Sequence, residues 1–160
     1  MFDIKAFENV KNQIGYCGIW CGSCGGGNGS IQELARRFED IVKNQNLEKY
    51  VPKEFVFKEF LKGLAAIQKM PLCPGCRKSG GPSTCKVRIC ALDRGVADCS
   101  LCEQLARCTK FEQLEITHPK IKGDLIRIRN ENRSALVKKW VDELKCKWPH
   151  CILFCASARK

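Results

Sequence analysis

Apolar side chains recur at helical spacing along most of this chain and give way where cysteine, glycine and proline crowd together. After the glycine run Gly25–Gly27, residues Ile31, Leu34, Ala35, Phe38, Ile41 and Val42 share one face, which predicts a helix over 31–48. Ser30 followed by Glu33 is a capping-box signature for its start. Pro52 is suited to open a second helix, and Val56, Phe60, Leu64, Ala65 and Ile67 carry its apolar stripe until Pro71 ends it. Residues 31–70 thus read as a helical hairpin.

From Pro71 to Asp98 the pattern breaks into Pro, Gly, Ser and Cys, a backbone that a bound ion must organise. Ser100 and Glu103 form a second capping box, which predicts a short helix over Leu101–Thr109 carrying Cys102 and Cys108. Ile121, Leu125 and Ile128 mark another helix. Ser134 then caps a segment with Leu136, Val137, Trp140, Val141 and Leu144 on one face. The expected class is mainly α, with cysteine-rich metal-binding loops, an inserted helical hairpin and at most a small β-hairpin. The expected organisation is one cysteine-rich domain over 1–160, with the hairpin inserted at 31–70. Metal-binding knuckles follow at 71–110, and a basic helical tail at 118–160.

A chain of 160 residues buries about 68–70% of its unfolded surface, enough for an apolar core. Thirteen cysteines are therefore not merely rescuing a mini-protein. They fall into three clusters: Cys17, Cys21 and Cys24; then Cys73, Cys76, Cys85, Cys90, Cys99, Cys102 and Cys108; then Cys146, Cys151 and Cys155. Residues Met1–Val10 carry acids and no leader-like apolar run, and no stretch reaches the ~20 apolar residues of a membrane span. A cytoplasmic, reducing setting is expected, in which such thiols hold metal rather than form disulfides.

Spacing points to zinc first. Two C-x2-C pairs separated by 22 residues match structural zinc sites, each short loop offering two thiolates to one tetrahedral ion. On that pattern Cys73, Cys76, Cys99 and Cys102 make one closed site, and Cys17, Cys21 and Cys24 with one of Cys85, Cys90 or Cys108 make another. About two zinc ions are expected. An iron–sulfur cluster of the four-iron type in an electron carrier is the alternative, since it takes the same ligand. The Cys17-x3-Cys21-x2-Cys24 spacing also occurs in radical S-adenosylmethionine enzymes, but the chain is too short for their barrel. Whether Cys146, His150, Cys151 and Cys155 bind metal is left unassigned.

The formal charge of +11 lies mostly beyond residue 70. Two four-cysteine zinc sites would lower it to about +7, because each carries −2. Arg127, Arg129, Arg133, Lys138, Lys139, Lys145 and Lys147 lie close to Trp140 and Trp148, a mixture that suits phosphate contacts and base stacking in a zinc-dependent nucleic-acid-binding protein. The simpler reading is a soluble surface neutralising its own thiolates. Catalysis has little support: a nucleophilic cysteine needs a nearby base, and His118 and His150 sit in turn-like His-Pro and Pro-His contexts, with His150 beside Cys146 and Cys151 better read as a possible metal ligand. The glycine run lacks the Gly-Lys-Ser/Thr ending of a phosphate loop and reads as a flexible turn.

Several strings in order resemble the uncharacterised prokaryotic cysteine-rich family known as domain of unknown function 3795. They are Tyr16-Cys17-Gly18-Ile19-Trp20-Cys21-Gly22-Ser23-Cys24, Cys73-Pro74-Gly75-Cys76, Cys85-Lys86-Val87-Arg88-Ile89-Cys90-Ala91, and Cys99, Cys102 and Cys108. Leu125-Ile126-Arg127-Ile128 and Trp140 resemble its tail. The ending departs from the family's compact knuckle, with Cys146, Cys151 and Cys155 in other positions. The resemblance implies a metal-binding protein of unassigned role, and closed sites with no open position for a substrate favour a binding or scaffold module over an enzyme, its partner unidentified.

Overall fold

The computed structural model describes residues 13–148, and its regular structure is helical. The helices are α1 (Gly25–Asn28), α2 (Ser30–Asn44), α3 (Phe57–Gln68), α4 (Lys86–Asp93), α5 (Glu112–Thr117), α6 (Ile121–Arg129) and α7 (Arg133–Lys147), joined by short 3-10 turns. Strand pairing among the described residues is a single antiparallel bridge, Ile14 to Trp20, so the small β-hairpin shrinks to one bridge. His150, Cys151, Cys155 and the Met1–Val10 segment lie outside the described residues.

The bridge makes residues 13–24 a hub. Its turn needs glycine: Gly18 has φ +78°, and a methyl group there would stand 1.8 Å from Leu125 Cδ2 of α6. On its other side Trp20, fully buried, stacks on Trp140 of α7 with centroids 6.0 Å apart. These two tryptophans join Ile14, Ile128, Leu136, Val137, Val141 and Leu144 in one apolar cluster. A second cluster holds Val87, Cys99, Leu105, Phe111, Ile121 and Leu125.

α6 and α7 bury the residues their periodicity marks: Ile121, Leu125 and Ile128 on one, and Leu136, Val137, Trp140, Val141 and Leu144 on the other. The cap of α7 is Asn132 rather than Ser134, because the Asn132 side-chain oxygen accepts the Ala135 amide at 3.1 Å.

The hairpin is shorter than its pattern suggests. α2 stops at Asn44 because Asn46 adopts a left-handed conformation, φ 49°, which ends the helix before 48. α3 begins at Phe57, not at Pro52: the Phe55 amide bonds to the Pro52 carbonyl in a turn, and the rings of Phe55, Phe57 and Phe60 pack together. Early residues of α2 meet late ones of α3, as Gln32 Nε2 does the Met70 carbonyl, so the helices run antiparallel. Only Ala35, Val42 and Leu64 are buried there, while Ile31, Leu34, Phe38 and Ile41 are exposed. A pair of helices hides only the faces it turns toward itself. Both ends of the hairpin meet, since the Cys73 amide donates to the Gly26 carbonyl at 2.7 Å.

Two further expectations change. The glycine run forms one helical turn, α1, closed by Gly29 in a left-handed conformation, and the side chain of its last residue, Asn28, accepts the Ser30 amide and donates to the Gly22 carbonyl. The predicted helix over 101–109 is instead a succession of 3-10 turns, and the proposed cap Ser100 is fully buried in a polar network. α4 lies inside the segment expected to be irregular, with Val87 and Ala91 buried four residues apart.

Candidate metal centre

The fold sorts the sequence-predicted ligands into two groups. Cys17, Cys21, Cys24, Cys73, Cys76 and Cys85 line one cavity of about 480 Å³, with His118 on the same wall. Cys90, Cys99, Cys102 and Cys108 surround a cavity of about 20 Å³ walled by Val87, Ala91, Leu105 and Phe111. The two C-x2-C pairs thus line different cavities, in place of the joint site that their spacing favours. Turn geometry explains the division: the 3-10 turns at Cys99–Leu101, Leu105–Arg107 and Thr109–Phe111 fold Cys99, Cys102 and Cys108 back toward α4, which carries Cys90. The hub, meanwhile, claims Cys76.

The chamber is knit by backbone. The Tyr16 amide donates to Cys76 Sγ at 3.4 Å, and Gln13, whose Nε2 donates to the Pro74 carbonyl at 2.9 Å, accepts Cys21 Sγ–H at 3.6 Å. Gly75 lies against the Gln13 carboxamide with φ +84°, a place with no room for a side chain. The sulfurs of Cys17 and Cys76 both rest against Gly15, 3.5 and 3.1 Å from where a methyl group would sit. Cys17 connects the groups, because its charge is felt by Cys99 as well as by Cys21.

Crowding and burial determine the thiols' acidity. Burial pushes Cys17 up to about 11, and the charges of Cys76 and Cys85 add to it, while the amides of Ile19 and Cys17 pull the other way. Burial pushes Cys21 and Cys99 up to about 12, again with neighbouring thiolates adding. These sulfurs ionise at neutral pH only beside a cation. The described cysteines are thiols rather than disulfides, Cys146 being exposed on α7.

Arginines fasten the loops that carry the sulfurs. Arg88 donates to the carbonyls of Gly80 at 2.9 Å and Pro82 at 2.7 Å, and Arg77 donates to that of Ile14 at 2.6 Å while lying over the Tyr16 ring. Arg129 donates to the carbonyls of Ser100 at 2.6 Å and Cys102 at 2.9 Å. Arg133 forms an ion pair with the fully buried Asp98, whose carboxylate also accepts the Ser100 amide and hydroxyl. Burial pushes the Asp98 carboxyl up, but the hydrogen bonds from Arg133 and Ser100 outweigh it and hold it below its usual range.

Two residues of the nucleic-acid reading, Arg129 and Arg133, are thus committed to carbonyls and to Asp98. Trp140 is core, and the Trp148 indole donates to the Asn28 carbonyl at 3.1 Å. Arg127, Lys139 and Lys145 lie beside acids of their own helices. A groove of about 590 Å³ nevertheless has Arg77, Arg133, Lys138 and Lys145 along its walls, with Asp142 beside them. Arg94, Arg107 and Lys110 edge a further cavity of about 360 Å³ outside Cys90, Cys102 and Cys108.

Among the described residues no three His, Cys, Asp or Glu side chains converge on a single point where an ion would sit. The donor chemistry is nevertheless that of a thiophilic cation. Each group is almost purely sulfur, and backbone amides hydrogen-bond to Cys17 and Cys21, which offsets part of the burial that keeps them protonated, and the Tyr16 amide donates to Cys76. Spacing marked the candidate ligands, whereas His118 and the arginine clamps carried no sequence signal that placed them at these cavities.

The family model described as protein of unknown function (DUF3795) matches residues 13–113, which include the cysteines of both cavities. No curated protein and no solved structure matches the chain.

Proposed function

We propose that this chain, which belongs to the DUF3795 family, is a thiolate metal-binding module whose cations order its loops and make it a scaffold. The observation that carries the reading is the sorting of thiols dispersed along the chain into two sulfur-lined cavities, with the Tyr16 amide directed at Cys76 in the larger. Cys90, Cys99, Cys102 and Cys108 would hold one zinc ion, the usual partner of four thiolates. Zinc there serves structure, since four protein ligands leave no open position for a substrate. Binding gathers the sulfurs and releases their protons, so metal affinity and folding are linked. A reducing, cytoplasmic setting keeps the thiols available. No described helix is long and apolar enough to cross a membrane.

The test is metal content and melting of purified protein, before and after a strong chelator and in Cys102→Ser. Stoichiometric metal is expected in the native protein, with the zinc of the four-thiol site and thermal stability lost together in both cases. Unchanged melting after complete metal removal would refute the scaffold role.

A second reading rests on the groove along α7. Its cations suit a phosphate backbone, although the tryptophans that would stack bases are used in packing. Binding of a labelled oligonucleotide that weakens steeply from low to moderate salt and weakens further in Lys138→Glu supports it; salt-independent binding or none overturns it.

A further inference from the structure

We propose that the six-thiol chamber takes an iron–sulfur cluster, while the four-thiol site takes a single zinc ion; this rests on the metal-binding reading above. Volume is the first argument. A zinc ion sits about 2.3 Å from each sulfur, a scale that suits a cavity of about 20 Å³ bounded by four cysteines. The chamber, at about 480 Å³, has room for roughly sixteen waters at about 30 Å³ each. One ion would leave most of it unfilled.

Ligand number is the second argument. Cys17, Cys21, Cys24, Cys73, Cys76 and Cys85 exceed what one tetrahedral ion accepts, and a four-iron cluster spreads its cysteine ligands over separate irons. Cys17, Cys21 and Cys76 are the inner three, since the sulfurs of Cys17 and Cys76 both rest against Gly15 and Gln13 links Cys21 to the Pro74 carbonyl of the Cys76 loop. Cys24 and Cys73 stand together beside Gly26 on the same chamber wall, so a fourth ligand is at hand.

Surroundings are the third. Gly15, Gly26 and Gly80 bring backbone rather than side chains to the sulfurs, and the Tyr16 amide already donates to Cys76. Amide hydrogen bonds to sulfur are one of the levers by which a protein tunes an iron–sulfur cluster. Cys24 is exposed, which gives iron and sulfide a way in.

The experiment is elemental and acid-labile sulfide analysis of the full chain purified without oxygen, in the native sequence and in Cys21→Ser and Cys102→Ser. Iron and sulfide in equal amounts, lost in Cys21→Ser and kept in Cys102→Ser, with zinc behaving in the opposite way, is the expected result. Zinc in both sites, or iron without sulfide, overturns the cluster and leaves the metal-binding reading standing. No metal in the native protein overturns both. Sulfide in the native sequence is measured independently of how well either variant folds.

Discussion

The four-thiol site and the six-thiol chamber use one side chain in two settings. Cys90, Cys99, Cys102 and Cys108 lie close in sequence, are walled by Val87, Leu105 and Phe111, and are clamped to the helical tail by Arg129 and Arg133. The chamber draws Cys17, Cys21 and Cys24 together with Cys73, Cys76 and Cys85 across the whole hairpin, and its walls are largely glycine and turn backbone. Rigid apolar walls and a buried ion pair define a space of ionic size. Backbone walls define a wider one.

The comparison breaks most severely at Arg133. Arg133→Ala leaves the Asp98 carboxylate buried and unpaired and should cost about 3–5 kcal/mol in urea unfolding. The same pair sets an acid limb: the Asp98 carboxyl is depressed in the folded state, so its contribution is present above the ordinary carboxylate range and disappears as pH falls through the folded value. Loss of the native protein's acid limb in Arg133→Ala, relative to its behaviour at neutral pH, checks this.

Gly18→Ala strikes the hub between the two groups. The added methyl meets Leu125 in a backbone conformation that alanine resists, and a loss of about 2–4 kcal/mol in thermal or urea unfolding is expected.

On the chamber side, Arg88→Ala removes hydrogen bonds to the Gly80 and Pro82 carbonyls at a half-buried position. It should cost only about 1–2 kcal/mol by urea unfolding. A loss as large as that of Arg133→Ala would erase the distinction between a clamped site and a backbone-walled one.

At neutral pH the smallest change comes from ionisation of the thiols. Cys17, Cys21 and Cys99 are raised from about 9 to about 11–12 in the fold, so metal-free protein holds protons that the unfolded chain gives up. Its stability should be level below pH 9 and fall as pH rises toward 11–12, as followed by circular dichroism. Metal-loaded protein should lack this limb.

Where the core is made by one helix face the sequence was enough: α6 and α7 bury the residues that their period marks. The candidate ligands were legible because C-x2-C spacing is a local property. Their partition was not, because it depends on the hub contacting Cys76, Cys99 and α6 at once, contacts that span sixty residues and more. Period also overstated burial in the hairpin, since Ile31, Leu34, Phe38 and Ile41 repeat like core residues on a helix with one neighbour. Arg129 and Arg133 looked like surface charge and are loop fasteners, a role that only their distant carbonyl and carboxylate partners reveal.

The hydrogen bond from the Cys73 amide to the Gly26 carbonyl has an engineering consequence. The polypeptide departs and returns through one doorway, so whatever hangs beyond it is hinged to the sulfur-bearing body at a single point. A reporter or affinity tag grafted in place of residues 31–70 would ride outside both cavities and leave their lining residues in place.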